Sequence, residues 1–91
     1  MDSLHAVVPR ALAALFRQGP MSQGKLEVAW RMAVGDALTR VTTVHLQNEG
    51  TVEVHTADQR WTKELKRSSS MILTRLIGLL GPDSVRRIVV K

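Results

Sequence analysis

Between residues 58 and 81 the apolar positions recur every three or four residues. At 100° per residue Trp61, Leu65, Ile72, Leu76 and Leu79 fall in one narrow stripe, and Leu73, Ile77 and Leu80 widen it. The spacing predicts one long helix. Asp58 is placed to cap its start, and Gly81-Pro82 to end it. Asp58 and Glu64 then sit near the positive end of the helix dipole. Arg60, Lys63, Arg67 and Arg75 are assigned to the side opposite the stripe.

Earlier stretches carry the same period more briefly. Residues 4–17 read as a helix with Leu12, Leu15 and Phe16 on its apolar face. Asp2 or Ser3 offers a cap, and Pro9, tolerable only in a first turn, moves the start toward Val8. Gln18-Gly19-Pro20 stops that helix. Leu26, Trp30, Ala33 and Ala37 then mark a second helix, opened by Ser22 or Gln23 and running to about Val34, where Gly35 loosens or ends it. Over residues 40–46 the period changes to two, with the Thr and Val enrichment of a strand. Asn48-Glu49-Gly50 predicts a hairpin turn. Residues 51–56 return with Val52 and Val54 inward and Glu53 and His55 outward. A last strand covers residues 85–90. The order is helix, helix, strand, strand, helix, strand. It predicts a single α+β domain over residues 1–91, with a three-stranded sheet packed against helices.

Composition narrows the classes. The chain has 91 residues, 44% of them hydrophobic, which suits one modest folded core rather than disorder. Cysteine is absent, so no disulfide or thiolate–zinc scaffold is available. No signal peptide and no run of eighteen apolar residues is present, which predicts a soluble, cytoplasmic protein. The net charge of +5 is uneven: residues 1–59 sum to −1 and residues 60–91 to +6. A basic third on a nearly neutral body is the footprint of a phosphate-binding surface, and equally of a solvated basic helix. Charge alone does not decide between them.

Most short motifs lead nowhere. Residues 19–26 have the glycine and lysine spacing of a P-loop, but Leu26 stands where a hydroxyl must hold magnesium, and the segment follows a helix rather than a strand. Gly78-Leu-Leu-Gly81 has the spacing of a KH-type backbone clamp, yet its two leucines belong to the apolar stripe. In the hairpin register His45 falls opposite Glu53 and His55 opposite Thr43, a solvated outer face with too few ligands for a metal site. Trp61, in the middle of the stripe, reads as core rather than as a stacking platform, and Trp30 more strongly so. No clustered acid–base pair or nucleophile is found, so no enzyme and no cofactor are expected. What remains is a basic face: Arg60, Lys63 and Arg67 at i, i+3 and i+7, with Lys66 and Arg75 flanking. Arg86, Arg87 and Lys91 extend it if the last strand lies nearby.

The order of landmarks resembles a known family. Val28-Ala-Trp30-Arg-Met-Ala-Val34-Gly35 is followed by Glu49-Gly50-Thr-Val-Glu-Val54, then Gln59-Arg60-Trp61-Thr-Lys-Glu64-Leu65, Leu79-Leu80-Gly81 and Val85-Arg-Arg-Ile88. Over about residues 4–90 this is similar to the DciA family of bacterial proteins. Val44 departs from the proline that many relatives carry there. Relatives often use a disordered extension to engage the helicase, a tract not seen in residues 1–91. The resemblance implies a KH-like fold and a role in starting DNA replication. The implied activity is loading or operating the DnaB-type replicative helicase, with binding to single-stranded or forked DNA and no ATPase. The basic face supplies the surface: Arg60, Lys63, Lys66, Arg67, Arg75, Arg86 and Arg87 are expected to contact phosphates, in a protein expected to be a monomer. A KH-like RNA-binding module and a protein-interaction domain docking an acidic partner are the alternatives.

Overall fold

The computed structural model describes residues 19–91. The helix expected over residues 4–17, with His5 and Phe16, lies outside the described residues. Within them the order is α1 (Gln23–Val34), α2 (Asp36–Arg40), β1 (Thr42–Leu46), a one-turn 3-10 segment (Asn48–Gly50), β2 (Thr51–Thr56), α3 (Gln59–Leu80) and β3 (Arg87–Val90). The chain is α+β, with a sheet in the order β1-β2-β3 packed against helices. β1 and β2 run antiparallel, and β2 and β3 parallel. Among the described residues no helix is long and apolar enough to cross a membrane.

Local chemistry sets these boundaries. Ser22 caps α1, its hydroxyl accepting the backbone N–H of Lys25 at 3.2 Å. Gly35, with φ of 88°, adopts a backbone that L side chains rarely reach, and there the chain turns out of α1 and starts α2. The single helix-to-strand passage expected after Val34 is therefore corrected: Asp36–Arg40 form a helix, Ala37 is exposed rather than in the core, and the strand begins at Thr42 and not at residue 40. The last strand likewise starts at Arg87 rather than at residue 85, although Val85 is fully buried.

The hairpin has the expected register, with Leu46 opposite Val52, His45 opposite Glu53 and His55 opposite Thr43. Its turn needs two left-handed residues, Glu49 at φ 61° and Gly50 at φ 74°. Gly50 is also fixed by crowding, since a Cβ there would lie 3.1 Å from the backbone nitrogen of Arg86.

Leu26, Ala29, Trp30 and Ala33 of α1, Val44, Val52 and Val54 of the sheet, and Leu65, Ile72, Leu76, Leu79 and Leu80 of α3 form one core with Val85. Each fully buried aliphatic side chain contributes roughly 1.5–3 kcal/mol relative to exposure. Trp30 is 2% exposed, and its indole N–H donates to the Thr42 hydroxyl at 2.9 Å. Gln23 reaches from α1 to the edge of β1 that faces away from β2: its amide donates to the Val44 carbonyl at 2.7 Å and accepts the Leu46 N–H at 2.8 Å. One side chain thus satisfies backbone groups that a further strand would otherwise pair.

Candidate nucleic-acid interface

Helix α3 positions the candidate row. Asp58 caps it by accepting the Arg60 N–H at 2.9 Å, and Gly81 ends it. Its core face is turned inward by Leu65, Ile72, Leu76, Leu79 and Leu80. Lys63, Arg67 and Arg60 consequently share an outward arc of about 60° in the first turns of the helix. All three are exposed, as is Lys66 on one flank.

The cations of this surface are not equally free. The Arg60 guanidinium holds the Asp58 carboxylate at 2.9 Å, and Arg67 lies 3.5 Å from Glu64. The Arg67–Glu64 pair is exposed on both sides and weak, whereas Asp58 is partly buried and takes two guanidinium contacts besides capping the helix. Lys63 and Lys66 make no ion pair with any described residue. The Arg60 side chain, followed by its backbone N–H, holds the Asp58 carboxyl below the usual carboxylate range.

Arg75 is not on the far side. Three residues before it and four after it stand Ile72 and Leu79, both buried, so its side chain leaves the helix at the margin of the apolar stripe. It is half-buried and donates to the Ala33 carbonyl at 2.9 Å, reaching the last turn of α1. Arg86 and Arg87 are exposed but lie elsewhere: the Arg86 backbone bonds to Gly50 at the hairpin, and Arg87 pairs with Thr51. The row ends at Arg67, about 20 Å along the helix axis from the C-terminal end of α3 that leads to them. The structure therefore brings together Arg60, Lys63, Lys66 and Arg67 and leaves Arg86 and Arg87 as a second basic patch.

Trp61 differs from Trp30. It packs against the core but is only half-buried. It lines an open depression of about 310 Å³ with Arg60 and Glu64, and a smaller one of about 120 Å³ with Leu38 and Ser68. Its place in the first turn of α3, before Leu65, the first fully buried residue of that helix, is the available signal.

The remaining motifs resolve as packing. Gly24 and Lys25 lie inside α1, so residues 19–26 form no phosphate loop. Leu79 and Leu80 are buried, and Gly81 is a helix cap, so no backbone clamp opens there. On the outer sheet face His45 and His55 meet edge to face at 5.3 Å, and His55 Nε2 lies 2.7 Å from Glu53. The His55 hydrogen bond, then the charges of Lys91, His55 and His45, hold the Glu53 carboxyl below its usual range. Among the described residues no three His, Cys, Asp or Glu groups converge as metal ligands.

A family model described as "Dna[CI] antecedent, DciA" matches residues 3–90. No curated protein and no solved structure matches the chain.

Proposed function

The chain belongs to the DciA family, and from that premise we propose that it is a cytoplasmic, non-enzymatic accessory protein that binds single-stranded or forked DNA while assisting the DnaB-type replicative helicase. The family is associated with loading of that helicase and is not a known catalytic family. The DNA-facing surface is the outward row of α3. Lys63 and Lys66 have no ion pair among the described residues, Arg67 exchanges its exposed Glu64 partner for a phosphate, and Arg60 keeps Asp58 while presenting its remaining N–H groups. Arg75 supports this surface by tying α3 to α1, while Arg86 and Arg87 offer further phosphate contacts at the hairpin end. The carrying observation is that Lys63 and Lys66, exposed and without an ion pair among the described residues, stand beside Arg60 and Arg67 on the outward side of α3.

A salt titration of single-stranded DNA binding tests this reading. Each phosphate neutralised on a single strand contributes about 0.7 to the slope of log affinity against log salt. The double variant Lys63→Glu/Arg67→Glu is expected to lose most of its affinity and about 1.4 of that slope. Unchanged binding by that variant would remove α3 as the interface. Equal affinity for matched RNA, with no helicase recovered, would favour the RNA-binding alternative.

A further inference from the structure

A groove of about 390 Å³ opens where α2 runs into β1 and β2 runs into α3, walled by Arg40, Val41, Thr43, His55, Thr56 and Ala57, with His55 Nε2 already turned to Glu53. Of its polar groups Asp58 and Thr42 are engaged, whereas Arg40, Thr43 and Thr56 each keep a donor. The Asp58 carboxylate at one end is held by the Arg60 guanidinium. The Thr42 hydroxyl accepts from Trp30 and donates to the Leu38 carbonyl. By contrast, the Arg40 guanidinium and the Thr43 hydroxyl have no partner among the described residues. The Thr56 hydroxyl oxygen accepts the Asp58 N–H at 3.3 Å, which leaves its own hydrogen free to donate. Val41, 37% exposed, and Ala57 supply apolar wall between these donors.

A concavity with an unpaired guanidinium, two free hydroxyl donors and an apolar wall suits an anionic group carrying an apolar flat body. The groove also adjoins the α3 row. Asp58 on its wall pairs with Arg60, Arg60 lines the next depression with Trp61 and Glu64, and Glu64 pairs with Arg67. Asp58 therefore links Arg60, and through it the α3 row, to the groove that Arg40 lines.

We propose that this groove is a nucleotide subsite continuing the α3 surface, in which Arg40 takes one phosphodiester of single-stranded DNA and the attached sugar and base lie over Val41 and Ala57. The proposal rests on the reading of α3 as the DNA-facing helix. Its donors match a phosphodiester, and the continuity with Arg60 selects a strand over a free mononucleotide.

The test compares the intact protein with Arg40→Gln and with Lys63→Gln/Arg67→Gln, using oligothymidine labelled for anisotropy over a salt series. A second arm uses the same oligomer carrying 4-thiothymidine for photocrosslinking, and a third uses thymidine monophosphate as competitor. Arg40 is exposed, so its replacement keeps the fold, which melting curves verify. Arg40→Gln is expected to weaken strand binding several-fold and to lower the salt slope by about 0.7. Crosslinks are expected on residues 40–43 or 55–57, and the monophosphate is expected to compete poorly. If the α3 double variant loses binding while Arg40→Gln keeps wild-type affinity and slope, the groove is not a subsite, and the α3 reading stands. If the intact protein binds no strand, both readings fall together. If Arg40→Gln leaves DNA binding unchanged but abolishes recovery of the helicase, the groove belongs to a protein partner and the proposal is overturned.

Discussion

Arg75 of α3 donates a hydrogen bond to the backbone carbonyl of Ala33 at the end of α1, at 2.9 Å. A residue that counts in the sequence as one more positive charge on a basic helix is thereby a tie between the two long helices. Replacing it with Met keeps the apolar stem and leaves the carbonyl without its charged donor, at a cost of about 1.5–3 kcal/mol. Thermal denaturation should show the loss as a fall in Tm of about 6–24 °C. Single-stranded DNA affinity measured well below that transition should stay near wild type. A loss of salt slope equal to that of a Lys63 variant would instead make Arg75 a phosphate contact.

The two tryptophans should separate cleanly. Trp30→Ala removes a fully buried ring from the core and is expected to cost about 3–5 kcal/mol, enough to threaten folding of a domain this small. Trp61, lining two depressions at the core margin, should cost distinctly less. In single-tryptophan variants made with Phe, acrylamide should quench Trp61 readily and Trp30 little. Equal quenching would contradict the different burial of the two rings.

Gln23→Leu removes both hydrogen bonds to the edge of β1 while keeping a helix-forming side chain of similar length. The expected destabilisation is about 1–3 kcal/mol, since a backbone donor and a backbone acceptor lose their partner together. Hydrogen exchange gives the sharper reading: the Leu46 amide should exchange much faster in the variant, and the Val54 amide on the central strand should change less. Unchanged protection at Leu46 would mean that water or another group already satisfies that edge.

Asp58 and Glu53 both have folded-state carboxyl groups held below their ordinary values, by Arg60 and by His55 respectively. A depressed carboxyl stabilises the fold above its unfolded pKa and loses that contribution as pH falls through the lower, folded value. Stability should therefore be flat near neutrality from these two groups and decline below about pH 4. Asp58→Asn and Glu53→Gln should each flatten the decline, and added salt should weaken the Asp58 contribution because its Arg60 partner is exposed. A steeper acid transition in either variant would reverse the assigned sign.

Much of the architecture is visible in the amino-acid sequence. Asp58 and Gly81 bracket α3 by capping chemistry, and the alternation around Asn48-Glu49-Gly50 sets the hairpin register to the residue. The passage after Val34 is different. Five residues, Asp36–Arg40, are too few to show a helical period, and the turn depends on the backbone angle of Gly35 alone. The parallel placement of β3 beside β2 comes from packing of α3 across the sheet, which local pattern does not encode. Gln23 meets β1 across 21 residues of sequence, a side-chain bridge with no periodic signature. The candidate site divides in the same way. Arg60, Lys63 and Arg67 share a face by spacing alone, whereas the separation of Arg86 and Arg87 follows from where β3 lies. The position of Arg75 was available from Ile72 and Leu79, its neighbours on the helix surface.

The central claim is that this domain works with the replicative helicase on single-stranded DNA. Co-purification of the tagged chain with the DnaB-type helicase from the same cell, with and without nuclease and with added single-stranded DNA, tests it most directly. The helicase should be recovered, nuclease should not release it, and a complex of all three should form with the intact protein but not with Lys63→Glu/Arg67→Glu. Failure to recover the helicase under every condition would contradict the claim.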